Sequence, residues 1–191
     1  RRRRPRRAGR GGAPARAADP FAGRITEANA EARRVGGLGA VGGVGDFALA
    51  NGTLCAVVSD PSHATDVSPH GGFLVDLGHC RAADDQLANL LPLLNVSRQN
   101  VPRVEDVEAS FDAREARVRT RGRWNGLELR TDYVLDTDEP ERLRMETRVA
   151  RVAAGGRLSV LALLSVHPNA TLRAFRIDTA HPELNTGFSH P

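Results

Sequence analysis

Ala116-Arg117-Val118-Arg119-Thr120-Arg121 and Leu127-Glu128-Leu129-Arg130-Thr131-Asp132-Tyr133, either side of Asn125-Gly126, decide the fold. In both runs charged residues alternate with apolar or small ones, the period of two that sets one face of a strand in water and the other in a core. Asn-Gly supplies the positive φ values of a two-residue type I′ turn, so the runs pair as an antiparallel hairpin. The same alternation precedes them at residues 107–111 and follows them at 143–149, after turn residues at 136–141. On the wet face, Arg119 is expected to meet Glu128, and Glu146 to meet Arg130.

Upstream, Asp46-Phe47-Ala48-Leu49-Ala50 and Thr53-Leu54-Cys55-Ala56-Val57-Val58 flank Asn51-Gly52 and read as a second hairpin. Residues 59–71 carry turn chemistry throughout, and Phe73-Leu74-Val75-Asp76-Leu77 is a strand. Residues 84–95 hold Leu87, Leu90, Leu91, Leu93 and Leu94 behind Asp84-Asp85, the pattern of a short helix or turn interrupted by Pro92, with the two aspartates capping it. Downstream, the more continuously apolar run 158–166 is expected to be a strand covered on both faces, and 172–177 the last strand. Eight or nine short strands without crossover helices make the chain mainly β: an antiparallel β-sandwich or large curved antiparallel sheet, with one or two short helices.

The charge is divided unevenly. Residues 1–24 contain nine arginines and one acid, Asp19, whereas the whole chain of 191 residues is only +4, so the remainder is mildly acidic. A nucleic-acid interface on the folded body is therefore not expected. All 27 basic residues are arginine, which in an Ala- and Gly-rich chain reads as compositional bias. Residues 1–24 are expected to be a disordered Arg/Gly/Pro/Ala-rich arm, 25–44 a short helix and Gly-rich, flexible lead-in, and 45–191 the sandwich domain, truncated at its C-terminal end. The longest apolar run is too short to cross a bilayer. At 4% aromatic residues, stacking platforms for sugars or bases are scarce.

Cys55 and Cys80 lack zinc-site spacing and read as two buried thiols, or as a single bridge if the protein is exported to a periplasmic or extracellular setting. The glycine run at 36–45 does not follow a strand and open a helix, which excludes a dinucleotide loop. No esterase elbow, HExxH helix or phosphate loop occurs. The richest polar cluster is His63, Asp66 and His70 in the long loop, with His79 beyond the next strand; imidazoles and a carboxylate there would serve as metal ligands or as acid and base. With no motif behind that cluster, the reading is a non-catalytic accessory or binding β-sandwich of a larger bacterial protein, carbohydrate- or surface-related. The alternative is a carbohydrate-processing or metal-dependent enzyme fragment using the His63–His79 cluster. No cofactor is expected; the expected partners are other domains of the same protein, or a small-molecule or glycan ligand.

Asn51-Gly52-Thr53-Leu54-Cys55-Ala56-Val57-Val58, a polar loop, and Gly71-Gly72-Phe73-Leu74-Val75-Asp76-Leu77 together resemble the opening of galactose-mutarotase-like sandwich domains. Tyr133-Val134-Leu135 followed by Arg142-Leu143-Arg144-Met145-Glu146-Thr147-Arg148-Val149 is similar to their paired central strands. Over residues 36–191 the chain also resembles sandwich regions N-terminal to PHP-type metallohydrolase domains of the CehA/McbA kind in large bacterial proteins. That resemblance implies a sandwich whose catalytic partner, if any, lies beyond Pro191. No acid or base of the mutarotase family can be placed on these positions.

Overall fold

A computed structural model describes residues 20–65, 68–97, 99–150 and 157–167. Among these residues the chain forms ten strands, β1 (Phe21–Arg24), β2 (Phe47–Ala50), β3 (Leu54–Val58), β4 (Leu74–His79), β5 (Leu87–Leu94), β6 (Arg103–Phe111), β7 (Glu115–Trp124), β8 (Leu127–Asp136), β9 (Leu143–Ala150) and β10 (Val160–Val166), and one helical turn, α1 (Ala30–Arg33). They make a six-stranded sheet ordered β1-β2-β3-β4-β5-β10 and a four-stranded sheet β6-β7-β8-β9, with antiparallel ladders throughout. The expected antiparallel sandwich is the fold. The strand expected at 172–177 lies outside the described residues.

The four-stranded sheet is the meander that its alternation dictates. Asn125 and Gly126 both have positive φ, 47° and 79°. Ala116, Val118, Tyr133 and Leu135 point inward against Phe47, Leu49, Leu54, Ala56, Val58 and Leu74 of the other sheet. The expected charge pairs are different, because a two-residue turn beginning at the Trp124↔Leu127 pair sets Arg119 opposite Asp132 and Glu128 opposite Arg123. Arg119 Nε donates to Asp132 at 2.7 Å, while Glu146 accepts from Arg148 on its own strand.

The β2–β3 hairpin forms, but its turn is shifted by one residue. Gly52 alone in that turn has positive φ, and the N–H of Asn51 donates to the carbonyl of Leu54. Asn51 is displaced from the turn centre because its buried carboxamide is in use. Its Oδ1 accepts from the N–H groups of Thr53 and Leu54, and its Nδ2 donates to the carbonyls of Asp136 and Pro140 at 2.8 and 3.0 Å. One side chain thus ties the hairpin of one sheet to the β8–β9 turn of the other.

Four expectations are corrected here. Residues 87–94 are strand β5, not a helix; four buried leucines and a partly buried Leu90 leave no helical period to express, and Pro92 lies past Leu90, the one residue registered against β4. β10 is not covered on both faces: among the described residues it pairs with β5 alone, at the end of the sheet, and Val160, Leu161 and Leu164 are 41–45% exposed. The arm does not extend to residue 24, since residues 21–24 pair with β2 and the Phe21 ring is covered by the Arg33 guanidinium at 3.5 Å; residues 1–19 lie outside the described ones. Finally, Cys55 and Cys80 are not free thiols but a disulfide, with Cα atoms 4.8 Å apart. The β3–β4 register sets Leu54 opposite His79, and the N–H of Cys80 donates to the carbonyl of Thr53, which folds Cys80 back beside Cys55.

The bridge closes a sequence separation of 25 residues, for which loop-closure entropy gives about 3 kcal/mol. Replacing both cysteines with serine is expected to lower unfolding stability by that order in urea titration; an unchanged midpoint would contradict it.

The short helix expected in 25–34 is the single turn α1. The glycine run after it is not a flexible lead-in. It lies across the outer face of the six-stranded sheet, where Ile25, Val35, Ala48, Val57 and Val75 form a second core layer. Three buried aspartates fasten it: Asp46 accepts the N–H of Gly43, Asp76 those of Val41 and Gly42, and the carbonyl of Asp85 that of Gly39. This strap explains why β2 is buried on both faces, whereas the meander keeps one face in water.

Candidate functional site

Among the described members of the polar cluster singled out from sequence, His63 and His79 are engaged separately. His63 Nδ1 lies 3.0 Å from both carboxylate oxygens of buried Asp46, which also accepts the N–H of Asp60. His63 therefore fastens the long loop to the start of β2. His79 sits at the other end of the β3–β4 pair, since Leu54 faces His79 whereas Val58 faces Leu74; those four steps amount to about 13 Å. It lies against Asp84 at 2.6 Å and Glu141 at 3.2 Å. Hydrogen bonding to Asp84, and then to Glu141, raises the imidazole above its ordinary value. Asp84 also accepts the N–H of His79, and with Asp85 it closes a turn instead of capping a helix. Asp66 lies outside the described residues. Among the described residues no group of three or more His, Cys, Asp and Glu side chains is placed to hold a metal ion.

Among the described members of that cluster, His70 lines an open depression. A groove of about 530 Å³ runs between Pro61, Ser62 and Pro69 of the loop and Arg103 and Glu105 of β6. Glu105 also lines a second cleft, of about 660 Å³, at the end of the four-stranded sheet.

The two depressions meet at a β-bulge. Val104 pairs with Gly122 and Asp106 with Arg121, so Glu105 is an extra residue on β6 with no partner opposite. Such an insertion bends the strand and re-aims the side chain it carries. Gly122 makes the bulge possible, because a Cβ there would stand 2.5 Å from the carbonyl oxygen of Arg103. The larger cleft is bordered by four arginines, Arg121, Arg123, Arg130 and Arg148, and three acids, Glu105, Asp106 and Glu128, with the apolar Leu129 and Val149 also in its lining.

The cleft's charges are held in place from below and from the side. Burial alone would push Asp132 up, but hydrogen bonds from Arg119 and Arg130 outweigh it and hold the carboxyl below its ordinary value. Arg121 donates to Glu108 at 2.7 Å and to Asp106 at 2.9 Å. The result is a nearly neutral lining of donors and acceptors with some apolar surface, suited to a ligand rich in hydroxyl or amide groups and ill suited to a polyanion.

Sequence reasoning did not find Glu105 or Gly122. The signal was a lone glycine within the alternation Arg121-Gly122-Arg123, which marks a bulge or a close backbone approach. No helix among the described residues is long and apolar enough to cross a membrane. Set against family models, curated proteins and solved structures, the chain matches none.

Proposed function

We propose that this chain is a non-catalytic binding sandwich, an accessory unit of a larger bacterial protein, which holds a neutral polyhydroxylated ligand such as a glycan in the cleft beside Glu105. The observation that carries the reading is the bulge at Glu105 opposite Gly122, which opens a cleft bordered by four arginines and three acids. With few aromatic rings in the chain, recognition rests on charge-assisted hydrogen bonds to hydroxyls and on apolar contact with Leu129 and Val149. The resemblance to mutarotase-like sandwiches supports the same class of ligand. The Cys55–Cys80 bridge supports an oxidising setting, periplasmic or extracellular.

Amide chemical shifts followed during titration with neutral hexose oligosaccharides test the proposal. Movement is expected at Glu105, Asp106, Gly122 and Arg123, with the sugar recovered unhydrolysed. Loss of Arg121 and Glu105 to alanine should weaken binding roughly tenfold, since each removes charge-assisted hydrogen bonds. No perturbation, perturbation elsewhere, or turnover that depends on His63 or His79 would defeat the reading.

A further inference from the structure

Opposed arginines stand where the two depressions meet. Arg103 of β6 is registered directly against Arg123 of β7, so both side chains leave the four-stranded sheet on the same face. Like charges so placed repel. Arg121, Arg130 and Arg148 form a similar cross-strand row on that sheet, and there acids answer the repulsion: Glu108, Asp132 and Glu146 each bring a carboxylate within 2.6–2.8 Å of one guanidinium. At the bulge the answer is incomplete. Arg123 is registered against Glu128 and has Glu105 at 3.5 Å, whereas among the described residues no carboxylate pairs with the exposed Arg103. The groove on the His70 side is thus lined by a guanidinium without an acceptor from the fold and by one acid, Glu105, whose carboxylate is within ion-pair reach of Arg123.

We infer that this groove binds a carboxylate carried on a sugar, so that the ligand is an oligosaccharide bearing one uronate next to its neutral part. The inference rests on the glycan reading of the larger cleft and extends it: Glu105 lines both depressions, so a chain lying in the cleft continues across the bulge into the groove. A guanidinium presents five N–H donors in a planar fork and takes a carboxylate through paired hydrogen bonds. The remaining walls suit the ring that carries it. Pro61 and Pro69 offer aliphatic faces, while Ser62 and His70 offer polar atoms to hydroxyl groups. The Ser62 hydroxyl donates to Asp60 at 2.7 Å, which leaves its oxygen to accept from the ligand. The site takes a single negative charge, because Glu105 in the same lining repels a second.

Methyl glucuronide and methyl glucoside, which differ by one carboxylate, test it through the amide chemical shifts of the full chain. The glucuronide should bind at least about fivefold more tightly at low ionic strength, moving Ser62, His70 and Arg103, and its advantage should shrink as salt is raised to about 0.5 M. Arg103→Gln, a change at an exposed strand position, should keep the wild-type melting curve and bring the glucuronide down to the affinity of the glucoside. Equal affinity for the two sugars in the wild-type chain, or a preference that survives in Arg103→Gln, would overturn the proposal. So would an equal response to acetate, which would mark a site for any small carboxylate. The two readings fail separately. If neutral oligosaccharides leave the cleft unmoved while the glucuronide still shifts the groove, the cleft reading falls and the uronate site stands; if neutral oligosaccharides bind and the glucuronide shows no advantage, the reverse holds.

Discussion

Gly42→Val is expected to unfold the protein more easily by about 3 kcal/mol, the cost of overpacking a close contact and leaving the buried Asp76 carboxyl without its donors. The new Cβ would meet Asp76 Oδ2 at 2.4 Å and Val57 Cγ1 at 2.7 Å, and neither is the loose end of a flexible chain. Asp76 is fully buried and Val57 belongs to the outer core layer, so the strap must lift. Lifting it removes the N–H groups of Val41 and Gly42 from the Asp76 carboxylate and opens Val57 and Val75 to water. Gly43→Ala provides the contrast. The nearest atom to its Cβ is an arginine nitrogen at 3.4 Å, so its cost should stay within about 1 kcal/mol. Urea unfolding of both variants decides the matter: equal midpoints for the two would mean that the strap is not fastened through Asp76.

Stability is expected to fall by about 4 kcal/mol as pH rises from below 4 to above 7, through Asp76 alone. Burial, reinforced by the charges of Asp85 and Asp46, pushes this carboxyl up to about 7 against the opposing N–H bonds of Val41 and Gly42. The folded chain therefore holds a proton that the unfolded chain has released at its ordinary carboxylate value. Asp76's contribution is complete below that value and lost as pH climbs through about 7. Asp85, raised by burial, and His79, raised by its carboxylate partners, act in the same direction. Asp132, Asp60 and Asp84 act oppositely. In each, burial is outweighed by hydrogen bonds that favour the charged form, and their contribution is lost as pH falls below the carboxylate range. A maximum near pH 4 follows, where the unfolded chain's carboxyls begin to release their protons. Urea midpoints across pH 4–8 should show the downward slope in the wild type and a much shallower one in Asp76→Asn, whatever the absolute stability of that variant. Parallel slopes would rule out Asp76 as the titrating group.

What could be read in the sequence was local. β7, β8 and β9 alternate cleanly because one face is wet, and Asn125-Gly126 fixes their turn, so the meander follows from neighbouring residues. β5 was unreadable for the opposite reason: with leucines buried from both sides, Leu87–Leu94 has no period to distinguish strand from helix. β1 was lost because arm composition runs up to its first residue and its partner strand lies beyond the strap. The strap itself depends on Asp76 and Asp85, distant in sequence, and isolated aspartates in strands give no notice of which backbone they will hold. For the candidate site, the arginine rows were evident as a wet face, but the cleft depends on register, and Gly122 was its one mark in the sequence. His63, Asp66, His70 and His79 drew attention by residue type, yet β4 sets His79 a strand's length from the loop that holds His63 and His70, however close they stand in the chain.

The strap also constrains how its length can vary. A Cβ on Gly37 would stand 2.3 Å from the backbone of Asp85, one on Gly39 2.3 Å from the carbonyl oxygen of Leu87 and one on Gly42 2.4 Å from Asp76 Oδ2. Deleting or inserting one residue between Gly37 and Gly42 shifts an alanine, leucine or valine into a place where only glycine fits, so this short segment tolerates changes of length far less well than an exposed loop.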